Sequence, residues 1–272
     1  MKFAIATCQI RLKWVIPFLI ACILQGTIQA DSPPNLIFIL ADDMGYGDVR
    51  AYNPQSKIPT PHLDRLAGEG MRFTDAHTPS AVCTPTRYGF LTGRYCWRSR
   101  LKRGVLNGYS DHLIQEDRLT LPRFLKGHGY QTGVVGKWHL GLDFHRLTEH
   151  EDIDYSKPVR WGPNDFGFEY SYIIPASLDF PPYVYLENQL VTGIPSKRQP
   201  KQSFPAFLRA GPIGSDFIME DCLDQLASKA VGFLERISKS ENPFFLYMPL
   251  TAPHKPVLPH PRFKGQTQLG VY

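Results

Sequence analysis

The sequence predicts an α/β fold: a mostly parallel sheet with helices on both faces. Three observations carry that prediction. Segments of strand length occur at 35–40, 130–136 and 243–248, the first and last of them apolar runs. Capped amphipathic segments lie between them, starting at Thr60, Thr120 and Ser215. Strands that alternate with helices are joined by crossovers, and crossovers make parallel pairs. No internal repeat points to another architecture.

Residues 1–30 come first. Basic Arg11 and Lys13 precede an apolar run from Trp14 to Leu24, and Ile28-Gln29-Ala30 precedes Asp31. This is the pattern of a cleaved signal peptide, which implies a secreted or periplasmic protein. A membrane anchor is the competing reading, opposed by Pro17 and by the shortness of the run. Leu19-Ile20-Ala21-Cys22 also has the form of a bacterial lipobox with Cys22 lipidated, although the apolar stretch continues past it.

Asn35–Leu40 follows two prolines and reads as a buried central strand. Thr60 caps the next helix, with Pro61 in its first turn, Gly68 or Gly70 as its stop and leucines that read as core. Met71–Ala76 reads as a strand. Ser80 caps a further helix, with Pro85 in the first turn and Gly93 as the stop. A helix over Thr120–His128 and a strand over Tyr130–Gly136 follow. The stretch 142–214 is rich in Pro, Gly and aromatics and reads as irregular. Loops this long are functional or disordered, and the aromatics argue against disorder, so it is expected to form the wall of a substrate cleft. Within it, Phe180–Tyr185 suits stacking on a sugar, though aromatic side chains also serve as core. From Ser215 a helix of roughly 22 residues presents Leu223, Leu226, Ala227, Ala230, Leu234 and Ile237 on one face. Pro243–Met248 closes the series as a buried strand.

Composition excludes several classes. The chain has 272 residues, 43% of them apolar and 20% charged, as in ordinary globular proteins. Its net charge of +5 owes three basic residues to the first 30, which hold no acid; from Asp31 on, 27 basic residues face 25 acidic ones. No basic face for nucleic acid follows. Of five cysteines, Cys8 and Cys22 fall in the leader and Cys83 lies in the pattern below. Cys96 and Cys222 make no disulfide framework, and no CxxC spacing suggests structural zinc.

Four segments bear chemistry. Asp42 and Asp43 end the first strand, where open parallel sheets form their sites. Adjacent carboxylates there are either a turn or a site for a hard cation. Cys83, at a helix N-terminus with Arg87 one turn later, sits among unpaired N–H groups and positive charge that favour an anion; a buried core cysteine beside a surface arginine is the other reading. Lys137 and His139 project on the same side of an extended segment, as ligand-binding groups or as a surface lysine beside a packed histidine. His254 follows the last strand between two prolines. His62, His128, His145 and His150 read as surface or structural residues. His77, near the cysteine loop, stays open.

Cys83-Thr84-Pro85-Thr86-Arg87 followed by Leu91-Thr92-Gly93-Arg94 resembles the signature of the type I sulfatases. Asp42-Asp43-Met44-Gly45-Tyr46-Gly47-Asp48 and Gly136-Lys137-Trp138-His139-Leu140-Gly141 resemble further motifs of that family, in the expected order. His254 looks like the family's ester-contacting histidine. Ser177, in Ile174-Pro175-Ala176-Ser177-Leu178-Asp179, looks like a sulfate-pocket serine.

The resemblance covers residues 35–272 and implies an alkaline-phosphatase-like sheet. It implies that a formylglycine-generating enzyme oxidises Cys83 to 3-oxoalanine (formylglycine). It implies Ca2+, or Mg2+ in its place, held by Asp42, Asp43 and the converted Cys83. Catalytic roles fall to Cys83, Arg87, Lys137, His139 and His254, and substrate contacts to Ser177, Lys137 and His254. The implied reaction is hydrolysis of an aryl or carbohydrate sulfate ester, in a sulfated small molecule or polysaccharide. The hydrated aldehyde attacks sulfur, His254 protonates the departing alcohol, and His139 takes the proton whose loss releases sulfate. Two rivals stand beside it: a formylglycine phosphonate or phosphate ester hydrolase of the same fold, and a non-catalytic protein that binds sulfated glycan. The family's later Asp-Asn pair and a further lysine have no counterpart before Tyr272. The expectation is therefore an incomplete N-terminal catalytic domain over 31–272, weak in calcium and inactive in isolation.

Overall fold

The structure, a computed structural model, describes residues 33–148 and 152–270. The expected signal peptide and His150 lie outside that range. In chain order the elements are β1 (Leu36–Asp42), α1 (Pro61–Glu69), α2 (Cys83–Thr92), α3 (Leu121–Lys126), β2 (Gln131–Lys137), β3 (Tyr170–Ile174), β4 (Leu186–Glu187), β5 (Leu190–Val191), β6 (Pro195–Gln199), β7 (Gly211–Gly214), α4 (Cys222–Ile237) and β8 (Phe244–Pro253). The main sheet has the order β1-β8-β2-β3-β4-β5. Its first four strands are parallel: β1 with β8, β8 with β2, and β2 with β3. Antiparallel β4 and β5 extend the far edge. β6 and β7 form a separate antiparallel pair.

Side-chain alternation along the parallel strands makes two cores, one per face. Val134, Ile173, Phe245 and Tyr247 pack with Tyr88 and Leu91 of α2 and with Trp138 and Phe166. Val135, Tyr172, Ile174 and Leu246 pack with Leu226, Ala230 and Phe233 of α4. The buried face of α4 runs Cys222, Leu226, Ala230, Phe233 and Ile237, a stripe at helical spacing. Thr120 caps α3 by accepting a hydrogen bond from Arg123 N, and α2 stops at Gly93, whose φ of 63° suits glycine. The helix-sheet-helix layering that the sequence predicts is present.

Seven expectations are corrected. Among the described residues β1 is an edge strand, not a central one, and Ile37 and Ile39 are exposed, β8 being its one partner there. No residue of α1 is buried, so Leu63 and Leu66 are not core. Thr60 does not cap it with its side chain; its hydroxyl accepts from Arg50 N and donates to Asp64. Residues 71–76 form no strand, since no partner lies alongside them among the described residues, and Met71 and Phe73 are exposed. The N-cap of α2 is Val82, so Cys83 opens the helix, and Ser80 instead offers its carbonyl to the Thr86 hydroxyl at 2.5 Å. The last long helix starts at Cys222, not near Ser215. Finally, 142–214 is not merely a wall: it contains β3, a fully buried strand of the main sheet, and Tyr183 and Tyr185 belong to a core.

Candidate active site

The C-terminal ends of β1, β2 and β8 lie together, and the N-terminus of α2 meets them there. β1 and β8 run parallel, with Asp42 opposite Pro253 and the main-chain N of His254 donating to the Asp42 carbonyl at 2.8 Å. β2 ends at Lys137. Gly136 allows that approach: its φ is 144°, and a Cβ on it would stand 2.0 Å from the Pro249 carbonyl oxygen. These neighbours are far apart in the chain, and only the parallel register brings them together.

At the centre is Cys83, half-buried at the first position of α2. Lys137 Nζ lies 3.1 Å from its Sγ. Lys137 also pairs with Asp42 Oδ2, both side chains being buried. Arg87, one turn along α2, donates from Nη1 to the Lys137 carbonyl at 2.7 Å and places Nη2 at 3.5 Å from Asp42 Oδ1. Buried charges persist only when paired, and here two cations share one buried carboxylate. Positive charge remains in surplus beside a helix N-terminus. Burial pushes the Cys83 thiol up, but the His254 hydrogen bond and the Lys137 charge outweigh it, so the thiol sits below its ordinary value.

The two histidines are held differently. His139 is buried, with a positive φ of 55°, a conformation that costs about 1–3 kcal/mol in a residue other than glycine. Neighbours over-determine it. Its N–H donates to the Pro175 carbonyl at 3.0 Å, and the Thr84 hydroxyl donates to its carbonyl at 2.9 Å. Nε2 faces the Leu106 carbonyl at 2.8 Å and must carry the proton there, which leaves Nδ1 as an acceptor facing the Ser177 hydroxyl at 3.4 Å. Burial, then the Lys137 charge, hold this imidazole well below its ordinary value. His254 is partly exposed. Its Nδ1 donates to the Lys255 carbonyl at 2.6 Å, and its Nε2 lies 3.7 Å from Asp43 Oδ2. Burial pulls its value down, but the Cys83 hydrogen bond and other contacts raise it above the ordinary one.

All eight residues singled out in the sequence fall in this neighbourhood, in unequal positions. Asp42 is buried and fully engaged. Asp43 has a φ of 65° and a side chain 56% exposed, so the adjacent carboxylates are not equivalent. Among the described residues, the ligand-type atoms that converge within 4.8 Å belong to Asp42, Cys83 and His254. The carboxylates at this end of β1 suit a hard cation in kind, and the thiol of Cys83 does not. A cation bound there would compete with Lys137 for Asp42. Thr84, a variable position inside the cysteine pattern, was not legible as a site residue. It braces His139 and accepts from Leu106 N at 3.2 Å.

The sulfatase family model matches residues 34–271. An N-acetylgalactosamine-6-O-sulfatase of Bacteroides thetaiotaomicron is 36% identical over 277 aligned residues, covering 89% of this chain and 52% of that protein. An N-acetylgalactosamine-6-sulfatase of Sus scrofa is 32% identical, covering 96% of this chain and 47% of that protein. A solved structure from work on glycosaminoglycan metabolism in Bacteroides thetaiotaomicron superposes with a TM-score of 0.76 at 36% identity, over 88% of this chain and 55% of that one. The chain spans about half the length of the curated relatives it matches.

Proposed function

The chain belongs to the sulfatase family, and from that membership and the geometry around Cys83 we propose that it carries the sulfate-ester site of a sulfuric ester hydrolase. One observation carries the reading. Buried Arg87 and Lys137 converge on Cys83 while sharing the single buried carboxylate of Asp42. The surplus positive charge suits a sulfate group, and in a pocket with little water it acts at greater strength than at the surface. The substrate proposed is a carbohydrate sulfate. N-acetylgalactosamine 6-sulfate is the first choice, because the relatives are named for it.

In this reading Cys83 is converted to formylglycine, whose hydrate supplies the nucleophilic oxygen. Asp42, Asp43 and the converted Cys83 would hold a calcium ion, which supplies Lewis-acid polarisation of the sulfate. The chain's own residues do the rest. Arg87 and Lys137 bind and orient the sulfate oxygens. His139, with Nε2–H committed to Leu106, accepts a proton at Nδ1, and Ser177 keeps that ring in place. His254, with Nδ1–H committed to Lys255, gives a proton from Nε2 to the departing sugar oxygen. Export belongs to the proposal too, supported by the sequence of residues 1–30, and mature protein beginning at Asp31 is its expected sign.

Two measurements test the reading. Peptide mass spectrometry of the Cys83 segment from the native host is expected to find aldehyde in place of thiol. Calorimetric titration with N-acetylgalactosamine 6-sulfate is expected to lose at least about tenfold in affinity on Arg87→Ala, since a charge-assisted contact to the anion is removed. An unmodified thiol together with unchanged affinity in that variant overturns it.

A further inference from the structure

Three segments remote from one another in sequence meet beside this pocket at Asp179. That residue follows β3, Arg209 precedes β7, and Lys255 follows β8. The Asp179 side chain is only 2% exposed. Arg209 Nη1 donates to its carboxylate Oδ2 at 2.5 Å and to its main-chain carbonyl at 3.0 Å. Lys255 Nζ lies 3.7 Å from the same Oδ2. One cation would neutralise this carboxylate, and two are present. The burial of Asp179 fixes where they stand, while Arg209 and Lys255 keep 49% and 47% of their side chains exposed. Among the described residues, nothing takes the remaining N–H groups of the Arg209 guanidinium. Its face is also set, stacked 3.9 Å from the centroid of the Phe180 ring.

The cluster joins the sulfate pocket from two sides. Phe180 packs against the His139 ring, with centroids 5.9 Å apart, and His139 meets Ser177. Lys255 follows His254 directly, and its carbonyl orients that histidine. The cations therefore lie on the histidine side of the pocket, the side assigned above to the departing sugar.

We propose that Arg209 and Lys255, anchored by Asp179, form an anion subsite that takes a second negative group of the substrate, a carboxylate or further sulfate on the sugar adjoining the ester. The proposal rests on the sulfate-ester reading above. It makes Arg209 and Lys255 specificity determinants rather than catalytic residues. Planar guanidinium and compact ammonium together suit either oxyanion.

The test is calorimetric titration of the 272-residue chain, at low ionic strength, with two probes. One is N-acetylgalactosamine 6-sulfate. The other is the disaccharide in which a hexuronate is joined to that sugar. The wild type is expected to bind the disaccharide on the order of tenfold more tightly, as charge-assisted hydrogen bonds are added. Arg209→Gln and Lys255→Gln are each expected to remove most of that preference while leaving monosaccharide affinity within about twofold. Lys255→Arg, which keeps the charge on an exposed side chain, is expected to restore it. A preference retained in both glutamine variants overturns the proposal. So does a parallel loss for both probes, which is the mark of a merely structural tie. Failure of the wild type to bind either probe overturns the sulfate-ester reading and this one with it. Monosaccharide binding without any disaccharide preference overturns this one alone.

Discussion

β1 and β2 have equal length and opposite fates, and the more apolar of the two is the more exposed. Both are seven-residue strands that end in a charged site residue. From Thr132 onward every residue of β2 is buried, because β8 and β3 flank it and helices cover both faces. Among the described residues β1 pairs on one side only, and Ile39, near its middle, is 59% exposed. Helix α1, which follows β1, buries nothing. An apolar run therefore states a capacity for burial, and the number of partners decides whether it is used. The candidate site straddles the two regions: Lys137 comes from the buried strand, Asp42 and Asp43 from the exposed one.

The largest expected effect tests the pair that ties the regions together. Lys137→Ala leaves Asp42 buried with Arg87 alone, and removing one partner of a buried pair costs about 3–5 kcal/mol. Urea unfolding measures it, and a loss below about 1 kcal/mol would mean that water reaches Asp42. Next comes a direct contrast between strands. Leu246→Ala, in β8 at the centre of a core, is expected to cost about 2–5 kcal/mol. Ile39→Ala is expected to stay within about 0.5 kcal/mol. Equal losses would break the comparison.

A smaller effect concerns association rather than stability. An open, apolar strand edge invites pairing with another chain, and charge on it discourages that. Ile37→Lys should leave the unfolding midpoint nearly unchanged and reduce self-association in sedimentation velocity runs. The smallest effect lies at the opposite edge. Burial pushes the Glu187 carboxyl up, but the Lys229 ion pair at 2.8 Å and the Tyr170 hydroxyl pull it below its ordinary 4.5. A depressed carboxyl contributes its full stability above that ordinary value and loses it as pH falls through the lower folded one. Glu187→Gln should therefore flatten the acid limb of stability below pH 4.5, by less than about 1 kcal/mol because solvent screens the pair. An unchanged acid limb would show that this edge does not sense the charge.

Much of the fold was legible because its signals are local. Thr120 with its proline, the segment from Tyr130 to Gly136 after the helix and the glycine after Thr92 announce a cap, a strand and a stop, and each is found there. β3 was not legible, because Tyr170–Ile174 lies in a stretch dominated by loop-forming residues and earns strand structure only from its pairing with β2. The start of α4 was missed for a related reason: Ser215 has a capping side chain, but the helix begins where Cys222 reaches the core. At the site, residue types were legible and their states were not. Asp42 and Asp43 look alike in the chain, yet one is buried and one is not.

The sequence by itself determined the chemical inventory: a cysteine near a helix N-terminus, an arginine one turn on, paired aspartates and two histidines after strands. Spacing along a chain suffices for that, since a helix turn or strand end is a matter of a few residues. Tertiary structure alone decided that Lys137 and Arg87 share Asp42, which ring nitrogen of His139 is free to accept a proton, and that Asp179 gathers Arg209 and Lys255 beside the pocket. Those outcomes depend on distance and burial between segments remote in sequence. Only packing sets these quantities, through the electrostatics of a low-dielectric interior.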